Sequence, residues 1–332
     1  MVEPLSIEAN DATADAIGWV DAAGDQGLRE SRKRLLSRFV PGARTKRMKW
    51  SMGWTEMIEV GEGPPLVLVH GGLGEAGGWA PILSSLARRF HLYVPDRPGH
   101  GLSDPFDYRG VDMSELSAKF LADVLDGCGL RTVPLVGCSM GGFTAIAFYL
   151  RYPDRVSQLI LPGMPAGLQR AVPPGIYQAH ELMRLLSTPS PGAVMRSELA
   201  QPAARGQMRE VQSALVAHPE RVAEEFLDCD RFNLLRNHRS FRWYLDSVVT
   251  PEGVSPPLLL DQRWAGLRVP TTFIWGEKDV FASVDKGRAA AARVPVSRFE
   301  LIQDAGHAVW FDEPDRVVAS VLESLDVSRG AL

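Results

Sequence analysis

Six short apolar runs punctuate this chain: "PLVLVHG", "FHLYVPD", "TVPLVG", "VSQLILPG", "TTFIWGE" and "SRFELI". Each is near-continuous rather than alternating, the pattern of a strand covered on both faces. Segments with helical spacing, "WAPILSSLARRF", "MSELSAKFLADVLDG" and "MGGFTAIAFYLRY", separate the first four, and "VDKGRAAAARV" separates the last two. Strands alternating with helices make a parallel sheet with helices on both sides. The expected fold is therefore α/β, a mostly parallel central sheet flanked by helices.

The alternation breaks after Ile160. About a hundred residues, Met164 to Gly266, show helical periodicity interrupted by prolines and no convincing strand. Ile176, Ala179, Met183 and Leu186 share one apolar face, and Val222 with Phe226 marks another. The segment reads as a helical cap resting on the sheet. This divides the chain into a core of residues 48–163 and 267–328, a cap of 164–266 and an N-terminal extension of 1–47. Within the extension, residues 29–49 carry nine basic side chains against Glu30 alone. "LRESRKRLLSRF" places Leu28, Leu35, Leu36 and Phe39 on one stripe with the arginines opposite. A solvated helix packed on its own domain or on a second subunit is expected, and an arm of this kind would make a homodimer.

Composition narrows the function. The chain has 332 residues, 45% hydrophobic and 23% charged, and a net charge of −4 gives no reason to expect nucleic acid. Cys128, Cys138 and Cys229 lack metal-ligand spacing, and their odd number suits a reducing compartment. The start, "MVEPLSIEAND", has neither the basic nor the apolar region of a signal peptide, and no run approaches a membrane helix in length. A cytoplasmic protein without a membrane partner is expected.

Residues 137–141 spell Gly-Cys-Ser-Met-Gly, a G-x-S-x-G match between a strand and a helix. That context is a nucleophile elbow, a sharp turn whose neighbours must be small, as Gly137, Gly141 and Gly142 are. Ser139 is the expected nucleophile; Cys138, one position earlier, would point into the packed turn. A serine hydroxyl needs a base and an orienting acid, which follow this elbow in the order acid, then histidine. "WGEKDVF" puts Asp279 beyond one downstream strand, with Glu277 as runner-up, and "AGHAVWFDEP" puts His307 beyond the next. The Met140 amide and an amide of "HGGLG", from Gly72 or Leu73, would hold an oxyanion. His70 and His100 sit in Gly-containing turns and read as structural hydrogen-bonding groups.

A rival reading starts from "GLGEAG" at 72–77, a G-x-G-x-x-G after a strand, with Asp96 ending the next strand like a ribose-binding acid. Pro81 opposes it. In a dinucleotide fold the helix begins near Gly74 and Pro81 would lie inside it, at a cost of about 3 kcal/mol. A helix starting near Trp79 puts Pro81 harmlessly in its first turn.

Taken together, "LVLVHGG", "PDRPGHGLSD", "LVGCSMGG", "WGEKDVF" and "AGHAVWFDEP" resemble, in order, the α/β-hydrolase superfamily. The resemblance runs from about Trp50 to Leu325. It implies Ser139 as nucleophile, His307 as general base then acid, Asp279 as its orienter, and a structural role for the "DRPGHG" turn with Asp96. It further implies a cofactor-independent, metal-free hydrolase of a carboxylic ester or lactone acting on a small, mainly apolar molecule. The alternative is carbon–carbon hydrolysis of a diketone-type substrate, whose enzymes commonly have Trp directly after the catalytic His; here Ala308 follows and Trp310 comes later. A non-catalytic small-molecule receptor is a more remote reading. Trp243, Tyr244 and Trp310 are expected to touch the substrate.

Overall fold

The computed structural model describes residues 20–163 and 166–329. An eight-stranded sheet forms the centre: β1 (Arg44–Trp50), β2 (Gly53–Val60), β3 (Pro65–Val69), β4 (His91–Pro95), β5 (Val133–Gly137), β6 (Val156–Pro162), β7 (Thr271–Gly276) and β8 (Ser297–Ile302). Their order across the sheet is β1-β2-β4-β3-β5-β6-β7-β8. From β4 to β8 every neighbouring pair is parallel, and β2 runs against both β1 and β4.

The six apolar runs are the six parallel strands. Leu66 to Val69, Leu135, Val136 and Leu159 to Leu161 are fully buried, because helices cover both faces. These helices are α1 (Ala22–Phe39), α2 (Ala80–Leu86), α3 (Met113–Gly127) and α4 (Met140–Arg151) on the N-terminal side of β6. The cap follows as α5 (Pro174–Leu186), α6 (Ser190–Leu199), α7 (Arg205–Gln212) and α8 (Glu224–Val248); α9 (Val284–Ala291) and α10 (Pro314–Arg329) come last, with a single helical turn at Val309–Asp312 between them. Pro81 falls in the first turn of α2, as the spacing predicts.

The first two strands, β1 and β2, and one short ladder lie outside the six apolar runs; β2, "GWTEMIEV", mixes buried and partly exposed positions and has no continuous apolar run. β1, "RTKRMKW", is an edge strand whose first four side chains are exposed, so it carries no apolar run. It nevertheless pairs along its length with β2, Arg44 opposite Glu59 and Trp50 opposite Gly53. The sheet thus begins inside the segment read as an extension. In the segment read as strandless, Val249–Thr250 pairs with Gly253–Val254, a ladder too short to leave a periodic signal.

α1 packs along α8 of the same chain. Asp25 accepts from Arg236 Nε at 2.7 Å, Arg38 pairs with Glu225, and the Phe39 and Phe226 rings lie 5.1 Å apart. The apolar stripe is buried as expected, yet one arginine is not where the pattern places it. Arg29, Arg34 and Arg38 are about half exposed, whereas Arg32 is buried. Positions 28, 32 and 36 are one turn apart on a single face, so Arg32 enters the core between Leu28 and Leu36. There it donates to both oxygens of Asp96, at 2.7 and 3.0 Å, and to Glu75. Of the two placements expected for this helix, its own domain or a second subunit, the structure shows the first; residues 1–19 of the expected arm lie outside the described residues.

Candidate active site

The parallel strands reverse their direction of winding at β3: β4 lies on one side of it and β5 on the other. Loops that leave β3 and β5 at their carboxyl ends separate there and open a crevice. The β3 loop is "HGGLG"; the β5 loop is the Gly-Cys-Ser-Met-Gly turn. Val69 and Gly137 are register partners, so the two loops start side by side.

At the elbow Ser139 has φ 49° and ψ −120°, a conformation that an L-residue adopts only under constraint. Packing supplies the constraint. A side chain at Gly141 would stand 2.1 Å from the Val69 carbonyl oxygen, so helix α4 can sit this close to β3 only with glycine there. Met140 opens α4, where first-turn amides have no partner within the helix. Cys138 is buried, its Sγ packed against Gly71, and burial pushes its thiol up to about 12, which keeps it protonated.

His307 reaches this corner although β8, the strand before it, lies three strands away from β5. The loop crosses the end of β6 at Gly163, whose φ is 69°. A Cβ at Gly163 would lie 2.6 Å from the His307 carbonyl oxygen. Asp279, in the loop after β7, meets the imidazole: His307 Nδ1 lies 2.9 Å from Asp279 Oδ2, and Asp279 Oδ1 accepts from the Phe281 amide at 2.8 Å. Burial alone would push the Asp279 carboxyl up, but His307 and these hydrogen bonds outweigh it and hold the group below the ordinary carboxylate range. The runner-up acid, Glu277, turns outward and accepts from the Asp304 amide. Asp279→Asn should therefore lower kcat by about 10²- to 10⁴-fold, because the amide cannot stabilise an imidazolium. Glu277→Gln should leave kcat within about twofold; steady-state kinetics of the two variants compares them directly.

Ser139, Met140, Gly72, Leu73 and His307 all line one cavity of about 300 Å³. A Cβ built on Gly72 would be 3.6 Å from Met140 Cγ, so the expected amide donors belong to one corner. Leu73 takes a left-handed φ of 56°, which turns the loop back over the cavity. Two of the three expected substrate contacts line the wall. Tyr244 does so with its hydroxyl beside Gly72, and Trp310 does so while its Nε1 donates to the Gly78 carbonyl. Trp243 does not: its ring lies under the guanidiniums of Arg109 and Arg242. On α8 the cavity-facing arc takes in Tyr244, Leu245 and Val248, and Trp243 falls just outside it.

The residues of the dinucleotide reading are committed elsewhere. Asp96 is buried, with Arg32, the Ala76 amide and the Leu102 amide on its two oxygens, which leaves nothing for a ribose. His70 accepts from the Arg97 amide through Nε2 and faces the Gly71 carbonyl through Nδ1. Burial, with Arg97 adding to it, pushes His70 down to about 3, so it stays neutral and structural. His100 is likewise buried, its Nδ1 on the Pro98 carbonyl.

A parallel sheet with a nucleophile elbow and a histidine–carboxylate pair over its carboxyl edge defines the α/β-hydrolase fold, and the family model of that fold matches residues 64–314. The chain belongs to that family and is a hydrolase. Among curated proteins it is 28% identical over 274 residues to 2-hydroxy-6-oxononadienedioate/2-hydroxy-6-oxononatrienedioate hydrolase 2 of Pseudomonas putida, covering 80% of this chain and 90% of that one. A similar hydrolase of Burkholderia vietnamiensis is 29% identical over 266 residues, 78% of this chain and 86% of its own. Among solved structures, the carboxylesterase CesB of Bacillus subtilis superposes with a TM-score of 0.73 at 21% identity, covering 91% of this chain and 98% of that one. The meta-cleavage product hydrolase of Pseudomonas fluorescens does so with 0.71 at 20% identity, covering 85% and 98%. Among the described residues no helix is long and apolar enough to cross a membrane.

Proposed function

We propose that the chain is a cofactor-independent serine hydrolase of neutral carboxylic esters or lactones with an apolar chain, working in the cytoplasm. Ser139 attacks the carbonyl while His307 takes its proton through Nε2, the nitrogen left free when Nδ1 faces Asp279. The amides of Met140 and of Gly72 or Leu73 receive the oxyanion, each worth about 3 kcal/mol of transition-state stabilisation. His307 then protonates the leaving alcohol and activates the water that releases the acyl group. The observation that carries this reading is the cavity wall. Met208, Leu215, Phe226, Leu234, Leu245 and Val248 dominate it, and among the described residues no Lys or Arg lines it.

The curated relatives favour a second reading, carbon–carbon hydrolysis of a dienedioate. A dioate brings two carboxylates, and burying them without a cation is costly. Turnover of p-nitrophenyl octanoate should therefore exceed that of 2-hydroxy-6-oxononadienedioate by at least about a hundredfold in kcat/KM. The reverse order would overturn the ester reading in favour of the second. Tight binding of either compound without turnover would overturn both in favour of a receptor.

A further inference from the structure

Among the polar groups of the cavity wall, one adjacent pair has no part in hydrolysis. Phe226, Asp230 and Leu234 follow one another on α8 at intervals of four residues and all face the cavity, so a carboxyl stands between two apolar side chains. Gln212, the last residue of α7, lies beside it. Its Nε2 donates to Asp230 Oδ2. Its Oε1 has no hydrogen-bond partner, although Gln212 is only 7% exposed and lines the same cavity. Glu75, the third polar group here, is committed: Arg32 and the Gly77 amide hold its Oε2.

A buried acceptor left unpaired is destabilising, and the apolar side chains around it offer it no partner. We propose that Gln212 and Asp230 form a polar subsite that takes a hydroxyl carried on the otherwise apolar chain of the ester substrate. The hydroxyl donates to Gln212 Oε1 and accepts from Asp230 Oδ1, the oxygen that Gln212 leaves free. Burial, with the negative charge of Glu75 adding to it, pushes the Asp230 carboxyl up to about 7, so its acid form is available to donate near neutrality. A hydroxyl suits this pair because it both donates and accepts. An ammonium can only donate, so it cannot take the hydrogen bond that the acid form of Asp230 offers, and it would pay heavy desolvation. The inference rests on the ester reading and narrows its substrate class to hydroxylated esters.

The test is a set of p-nitrophenyl alkanoates with a hydroxyl moved carbon by carbon along the chain, their unsubstituted parents, and amino analogues. In the wild-type protein one or two hydroxyl positions should raise kcat/KM about tenfold over the parent ester, mainly through KM. Asp230→Leu and, separately, Gln212→Leu should abolish that preference while leaving kcat/KM on the parent esters within about threefold. Activity on the parents shows that each variant is folded. No favoured hydroxyl position, a preference that survives both substitutions, or a preference for amino analogues would overturn the subsite. Failure of the ester reading looks different: no ester, hydroxylated or plain, would then turn over in a Ser139-dependent way.

Discussion

Replacing Ser139 with alanine is expected to lower kcat for ester hydrolysis by about 10⁴- to 10⁶-fold. The whole cost falls on one atom, because the rest of the site survives the change. The elbow is constrained by the approach of α4 to β3, the His307–Asp279 pair is made without Ser139, and the amide donors belong to the backbone. A residual rate should persist from those amides. The same experiment decides between adjacent residues: a fluorophosphonate probe should modify Ser139, located by peptide mass spectrometry, and leave Cys138 untouched. The Cys138 thiol is buried and held protonated, so it offers no thiolate to the probe. An adduct on Cys138, or an alanine variant within tenfold of the parent, would refute the assignment.

The second large effect lies far from the reacting carbonyl in sequence. Arg32→Ala should destabilise the fold by about 3–5 kcal/mol, since it leaves Asp96 and Glu75 buried without their cation. Domains of this kind hold only about 5–15 kcal/mol in total, so Arg32→Lys provides the milder companion. A lysine keeps the charge but cannot hold both oxygens of Asp96 while also reaching Glu75, and an intermediate loss is expected. Urea unfolding measures both. Asp96→Asn combined with Arg32→Ala should cost less than the sum of the single changes, because each removes part of the same network. Independent, additive losses would show that the three side chains do not act together. The network also touches function, for Asp96 accepts from the Ala76 amide and Glu75 from the Gly77 amide, at the end of the loop that begins with "HGGLG".

Much of this was readable from one dimension. Five inner strands and the half-buried edge strand β8, the helices between them, the elbow and the loops bearing Asp279 and His307 each follow from a local pattern of apolar period, glycine and order. Such patterns are legible because burial on both faces, or a turn with no room for side chains, restricts residue type at the position itself. Edge strand β1 was hidden for the converse reason: half its surface is wet, so nothing restricts its composition to apolar residues.

What only the tertiary structure decided is which distant groups meet. Arg32 looked like one of several solvated arginines until α1 was laid against the loops after β3 and β4, where two carboxylates await it. Trp243 and Tyr244 were indistinguishable as neighbours in sequence, and the rotation of α8 sent one to the cavity and the other under two guanidiniums. Gln212 and Asp230 carry no local signal, since an exposed and a cavity-facing glutamine are spelled alike. Their pairing depends on how α7 packs on α8, an interaction between surfaces rather than along the chain, and no local spacing encodes it.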